Sequence, residues 1–120
     1  MVTTPMITRI QAGKRMSQVV VHGNTAYLAG QVAVDIGADI SVQTAQVLEK
    51  IDRLLAAAGT DKSRLLSVTV FLTDIRSFAE MNAVWDSWVP ADASPARATI
   101  QARLANPAYR VEMQAIAALP

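Results

Sequence analysis

Leu65-Leu66-Ser67-Val68-Thr69-Val70-Phe71-Leu72-Thr73 decides the fold, because it reads as a strand set between two helical segments. Val68, Val70 and Leu72 alternate with Ser67, Thr69 and Phe71, the period of two that sends successive side chains to opposite faces of a sheet. Its β-branched residues suit a pleated surface. Before it the period lengthens: Thr44, Leu48, Ile51, Leu55 and Ala58 recur every three to four residues, with Val47 and Leu54 widening an apolar helical stripe. Ser41 is the expected N-cap of this helix and Gly59 its left-handed end. After the strand, Ser77-Phe78-Ala79-Glu80 matches a capping box, and Phe78, Met81, Val84, Trp85 and Trp88 fall along one side of a second helix.

Farther out, Val19-Val20-Val21 and Ala26-Tyr27-Leu28 flank His22-Gly23-Asn24-Thr25, where Gly23 and Asn24 supply the positive φ angles of a hairpin turn. A strand over residues 7–11 precedes them. Beyond Pro90 and Pro95, residues 96–104 and 109–117 alternate again, and Ala105-Asn106-Pro107-Ala108 between them reads as the turn of a closing hairpin. The order β-β-β-α-β-α-β-β predicts an α+β layer structure with both helices on one face of the sheet. The opposite face, expected to be lined by Ala, Val, Met and Leu, is hidden most simply by self-association. No linker, repeat or low-complexity segment divides the 120 residues, which read as one domain, 1–120.

Composition narrows the chemistry. Hydrophobic residues make up 52% of the chain against 18% charged, which excludes disorder and leaves apolar surface for a subunit interface. The 11 basic and 10 acidic side chains give a net charge of +1, too little to gather nucleic acid or an anionic membrane non-specifically. Residues 1–10 lack the apolar stretch of a signal peptide, and no run approaches the roughly 18–20 apolar residues of a membrane span, so the cytoplasm is the expected location. With no cysteine and a single histidine, thiol chemistry, zinc sites and histidine-activated nucleophiles are nearly eliminated. His22 lies beside a turn glycine with no partner in sequence reach and reads as a surface residue. Asp35-Ile36-Gly37-Ala38-Asp39 has too few oxygen ligands for a calcium loop, with Gln46 where a bidentate glutamate belongs, so no metal is expected.

What remains centres on Pro95-Ala96-Arg97-Ala98-Thr99-Ile100. Arg97, Thr99, Gln101 and Arg103 share one side of their segment, and Arg110, Glu112 and Gln114 alternate with Val111, Met113 and Ala115 on the next. Two readings stand. Both sets of charges face solvent on a half-polar sheet, or Arg97 and Glu112 serve a small-molecule site, the planar guanidinium gripping a carboxylate while the glutamate orients water. If Asn106-Pro107 sets the hairpin register, Glu112 lies near Gln101, roughly 13 Å along the strand from Arg97 at ~3.3 Å per residue. Cooperation between them then requires Glu112 from a neighbouring subunit. Trp85 and Trp88 read as core or interface anchors. Asn82, unfavourable within a helix, is either a site residue or solvent-facing.

Ala29-Gly30-Gln31-Val32, Gln43-Thr44-Ala45-Gln46-Val47-Leu48, Val70-Phe71-Leu72-Thr73-Asp74, Met81-Asn82, Pro95-Ala96-Arg97-Ala98-Thr99 and Val111-Glu112-Met113-Gln114-Ala115-Ile116-Ala117 resemble, in order, the RidA/YjgF family of reactive-intermediate deaminases. The tail from Asn106 to Glu112 is most similar to its YoaB-like branch. The resemblance implies a chorismate-mutase-like α+β fold, a six-stranded mixed sheet with two helices on one face, assembled as a homotrimer with three intersubunit clefts. It implies hydrolysis of 2-imino acids, or their enamine tautomers, to 2-oxo acids and ammonia without a bound cofactor. By position, Arg97 would grip the substrate carboxylate, Glu112 would position or activate water, Gly30 would offer backbone polar groups, and Thr99 and Asn82 would line the cleft. Met16 and Ala29 stand where many members carry a tyrosine and a serine, which implies a more apolar pocket and a preference for imines with apolar side chains. Two further readings compete: a non-catalytic trimer that binds small carboxylic acids through Arg97, and a ribonuclease or translation inhibitor, which the near-neutral charge and lack of a base-stacking platform disfavour.

Overall fold

The computed structural model describes residues 6–120, and within them the chain runs β1 (Ile7–Ala12), β2 (Ser17–His22), β3 (Thr25–Leu28), β4 (Gln31–Val32), α1 (Ile40–Ala57), β5 (Leu65–Leu72), α2 (Phe78–Trp88), β6 (Ala96–Gln101) and β7 (Val111–Ala118). The expectation that residues 1–10 carry no leader falls partly on residues 1–5, outside the described residues. No described helix is long and apolar enough to cross a membrane.

The sheet is mixed, in the order β1-β2-β3-β7-β5-β6, with the two-residue β4 pairing additionally with β7. Only β5 and β6 are parallel; every other pairing is antiparallel. β5 reads as the sequence predicts. Its Val68, Val70 and Leu72 stand opposite Ala115, Met113 and Val111 of β7, and all six are buried. They pack on Val47, Leu48, Ile51 and Leu55 from α1 and on Met81 and Trp85 from α2, so both helices cover one face. Burial of each such large side chain stabilises the fold by about 1.5–3 kcal/mol.

The expected closing hairpin between residues 96–104 and 109–117 does not form. β5 lies between the two strands: Ser67 to Leu72 pair in parallel with Ala96 to Gln101, while Phe71 and Leu72 face Glu112 and Val111 on the other side. The connection from residue 102 to 110 wraps the end of β5 instead, with the Ala102 N–H donating to the Leu72 carbonyl at 2.9 Å and the Thr73 N–H to the Arg110 carbonyl at 3.2 Å. Gln43, fully buried on α1, fixes that path: its Nε2 donates to the Ala38 and Ala108 carbonyls, each at 3.1 Å, and its Oε1 accepts from the Arg110 N–H at 2.9 Å. Asn106-Pro107 still turns the chain, with the Tyr109 N–H on the Asn106 carbonyl at 3.1 Å, but the turn does not join neighbouring strands.

The caps also differ from expectation. Asp39, not Ser41, caps α1, accepting from the Val42 N–H at 2.9 Å. Ser77 makes no side-chain cap bond, so the capping box is not formed; Asp74 instead caps a 3-10 turn, Ile75–Ser77, that leads into α2. Gly59 does take the left-handed conformation, at φ +85°. In the β2–β3 turn only Gly23 has a positive φ, +60°, so Asn24 does not share that role.

Candidate functional site

Strand β6 inverts the usual apolar-in rule. Its Ala96, Ala98 and Ile100 are exposed, while Arg97 and Thr99 turn to the helix-covered side, opposite the buried Val68 and Val70 of β5. α2 meets them there. Phe78, Asn82 and Trp85 lie at positions i, i+4 and i+7, one stripe of the helix surface. The Arg97 Cζ sits 5.0 Å from the Trp85 ring centroid and 5.8 Å from that of Phe78, a cation over two aromatic faces. Among the described residues, Arg97 Nη1 is the one buried side-chain nitrogen or oxygen without a hydrogen-bond partner, and no carboxylate forms an ion pair with this arginine. Burial pulls the guanidinium pKa below its ordinary value, opposed by the charge of Asp86. A buried donor on a charged group is costly to leave unmade, so this atom is set to receive an acceptor.

Glu112 belongs to the other face. It stands opposite Val32 of β4 and Phe71 of β5, out of phase with the buried Val111 and Met113. Its side chain lies on Gly30: a Cβ there would overlap the Glu112 Oε2 and stand 3.0 Å from Cδ. Only glycine leaves that space open. The Ala29-Gly30 segment is braced by two glutamines: Gln18, to which the sequence assigns no role, and Gln31, which it shows only as part of the Ala29-Gly30-Gln31-Val32 element. Gln31, 6% exposed, donates through Nε2 to Gln18 Oε1 at 2.9 Å and to the Ala29 carbonyl at 3.0 Å, while the Ala29 N–H bonds the Gln18 carbonyl at 2.9 Å. A side chain-to-side chain bond between residues thirteen apart leaves no trace in periodicity, so this bracing is not legible in the sequence.

The structure therefore sorts the candidate site residues into two halves. Arg97, Thr99 and Asn82 share the helix-covered side; Gly30, Ala29 and Glu112 share the other. Glu112 aligns through Phe71 with Ile100, three residues and two strands from Arg97, or about 14 Å with the side chains pointing apart. The expected intrasubunit separation stands, although through an intervening strand rather than along a hairpin. Met16 joins neither half. It is 57% exposed beyond the end of β1, where it lines a cavity of about 500 Å³ with Gln11, Gly13, Lys14, Arg15 and Gln18. Trp85, read from sequence as a core or interface anchor, and Phe78, read as part of the apolar side of the second helix, prove to be the immediate surroundings of Arg97.

The open sheet face carries Ile100, Tyr27 and Ile7, each between 44% and 51% exposed, together with Ala96 and Ala98. Of the residue types expected there, Ala96, Ala98 and Val20 do face this side, whereas Leu28, Leu72 and Met113 turn inward to the helices.

Comparison with known proteins agrees with this architecture. The family model described as Endoribonuclease L-PSP matches residues 6–119. A RutC family protein of Haemophilus ducreyi is 48% identical over 114 residues, covering 95% of this chain and 97% of that protein. The RutC family protein YoaB of Escherichia coli K12 is 47% identical over 113 residues, 94% and 98% of the two chains. A solved structure of a YjgF family member from Neisseria meningitidis superposes with a TM-score of 0.94 at 41% identity, covering 96% of both chains. With its sheet order, its helices and nearly its whole length matched, the chain belongs to the YjgF/RutC family, the family of the Endoribonuclease L-PSP model.

Proposed function

We propose that this protein is a hydrolytic deaminase of 2-imino acids and their enamine tautomers, acting in the cytoplasm without a bound cofactor. The buried, partnerless Nη1 of Arg97 carries the reading. A substrate carboxylate is the acceptor that a planar guanidinium matches best. The site is completed between copies of the chain in a homotrimer, because Arg97 and Glu112 leave opposite faces of one sheet and the open face carries exposed Ile100, Tyr27 and Ile7.

In this scheme Arg97 anchors the carboxylate, with Thr99 and Asn82 along the cleft wall. Glu112 of an adjoining subunit takes a proton from water as its oxygen adds to the imine carbon, forming a carbinolamine. That proton passes to nitrogen. The carbinolamine hydroxyl then gives up its own proton to nitrogen by way of Glu112 as the carbonyl forms and the carbon–nitrogen bond breaks, and ammonia and the 2-oxo acid leave. No oxidant or reductant is consumed. Gly30 keeps the Glu112 carboxylate in place by presenting no side chain to it.

Ala29, beside Gly30, favours a second reading, a trimer that binds small carboxylic acids without turnover, because its side chain offers no hydroxyl to a reacting group. Net charge +1 and an exposed His22 weigh against RNA hydrolysis. The deciding experiment is ammonia and 2-oxo acid release from 2-iminobutyrate made in situ by a dehydratase. Acceleration that disappears in Arg97→Ala and in Glu112→Gln supports the deaminase. Binding of 2-oxobutyrate without acceleration supports the binding trimer.

A further inference from the structure

Arg97 holds a charge in a partly desolvated position with no carboxylate in an ion pair with it, Asp86 acting only through its charge; what packs against the guanidinium is aromatic. Trp85 is 6% exposed and sits 5.0 Å from the guanidinium carbon, with Phe78 at 5.8 Å. Trp85 is itself held. Its ring centroid is 5.4 Å from that of Trp88 at an interplanar angle of 49°. Trp88 donates its indole N–H to Asp52 Oδ2 on α1 at 3.0 Å, and Lys62 stands 5.0 Å over the Trp88 ring while donating to the Trp88 carbonyl at 2.7 Å. A line of contacts thus runs from α1 through both indoles to the guanidinium.

The choice of aromatics has a chemical consequence. An aspartate beside Arg97 would also fix the guanidinium, but it would occupy the fork of N–H donors that a substrate carboxylate needs and would compete with it. A π face stabilises the cation without supplying an oxygen acceptor. We infer that Trp85, with Phe78 beside it, is a positioning residue for anion binding: the rings hold the Arg97 guanidinium in its buried pose and leave its donors open to the incoming carboxylate. This rests on the reading of Arg97 as the carboxylate anchor.

The test is calorimetric titration of 2-oxobutyrate into wild type, Arg97→Ala, Trp85→Leu, Trp85→Phe, Phe78→Leu and Phe78→Tyr, with KM and kcat for 2-iminobutyrate measured alongside. Expected are undetectable binding in Arg97→Ala, affinity about tenfold weaker in Trp85→Leu, within about threefold of wild type in Trp85→Phe, and a smaller loss in Phe78→Leu that Tyr rescues. KM should rise with Kd while kcat changes little. A merely structural role would instead lower kcat, through a smaller folded fraction, and leave KM unmoved. If Arg97→Ala binds like wild type, or wild type does not bind, the carboxylate anchor falls and the inference with it. If Arg97→Ala abolishes binding but Trp85→Leu binds like wild type, the anchor stands and the positioning role is overturned. Should Trp85→Leu fail to fold, the half-exposed Phe78 decides, and Phe78→Leu with unchanged affinity overturns the role of the rings.

Discussion

The two faces of the sheet treat their charged residues in opposite ways. On the helix-covered side, Arg97 is enclosed by Trp85 and Phe78 and lacks a hydrogen-bond partner at Nη1. On the other side Glu112 rests on a glycine, beside a backbone segment tied down by Gln18 and Gln31. The first arrangement readies a donor; the second readies space and orientation for an acceptor. Each half is preorganised by its own chain, and under the proposed function that division places the chemistry in an assembly.

The largest effect that can break this comparison is loss of the arginine. Arg97→Ala should lower kcat/KM for 2-iminobutyrate by about a hundredfold or more, since two charge-assisted hydrogen bonds are lost, and an ammonia-release assay reads it directly. Glu112→Gln should reduce kcat by a similar order while 2-oxobutyrate still binds, as expected for a residue acting on water. Co-expression of those two inactive variants sharpens the comparison further. Intersubunit sites would regain about a quarter of wild-type activity by random assembly, whereas sites built within one chain would regain none.

Gly30→Ala probes the Glu112 half alone. The backbone there has no positive φ to strain, but the new methyl would push the carboxylate aside, and a shift of about 1 Å should cost kcat on the order of tenfold to a hundredfold with little change in melting temperature. The smallest effect concerns the turn that launches α2. Hydrogen bonds from the Arg76 side chain and backbone hold the Asp74 carboxyl below its usual 3.8. A depressed folded-state pKa contributes stability above the unfolded value that fades as pH falls through the folded one. Wild type should therefore lose slightly more melting temperature than Asp74→Asn on going from about pH 5 to pH 3.

Much of this frame is legible in the sequence, because burial imposes period. The stripe from Thr44 to Ala58 and the alternation of residues 67–72 mark α1 and β5, whose inward residues are buried as read. Pairing is another matter. Alternation says that residues 96–101 and 111–118 are strands, but not that β5 separates them; the buried amide of Gln43 and the wrap over the end of β5 decide that, through contacts 65 and 67 residues apart. The facing of Arg97 is likewise invisible. Its strand carries Ala96, Ala98 and Ile100 outward, so the rule that apolar residues turn to the core gives the wrong face. Arg97 and Glu112 could be singled out by their chemistry, whereas the rings and the glycine that position them become meaningful only in three dimensions.

The place of β7 in the sheet carries one more consequence, for assembly in time. β1, β2 and β3 form a local meander, and β5 with β6 forms a second unit through α2, but β7 alone joins them, pairing with β3 on one side and β5 on the other. It follows every other element in the chain. During synthesis the two units therefore wait beside each other with open ladders until Val111 to Ala118 emerge, and completion of the sheet is set by these non-local pairings rather than by the early hairpins.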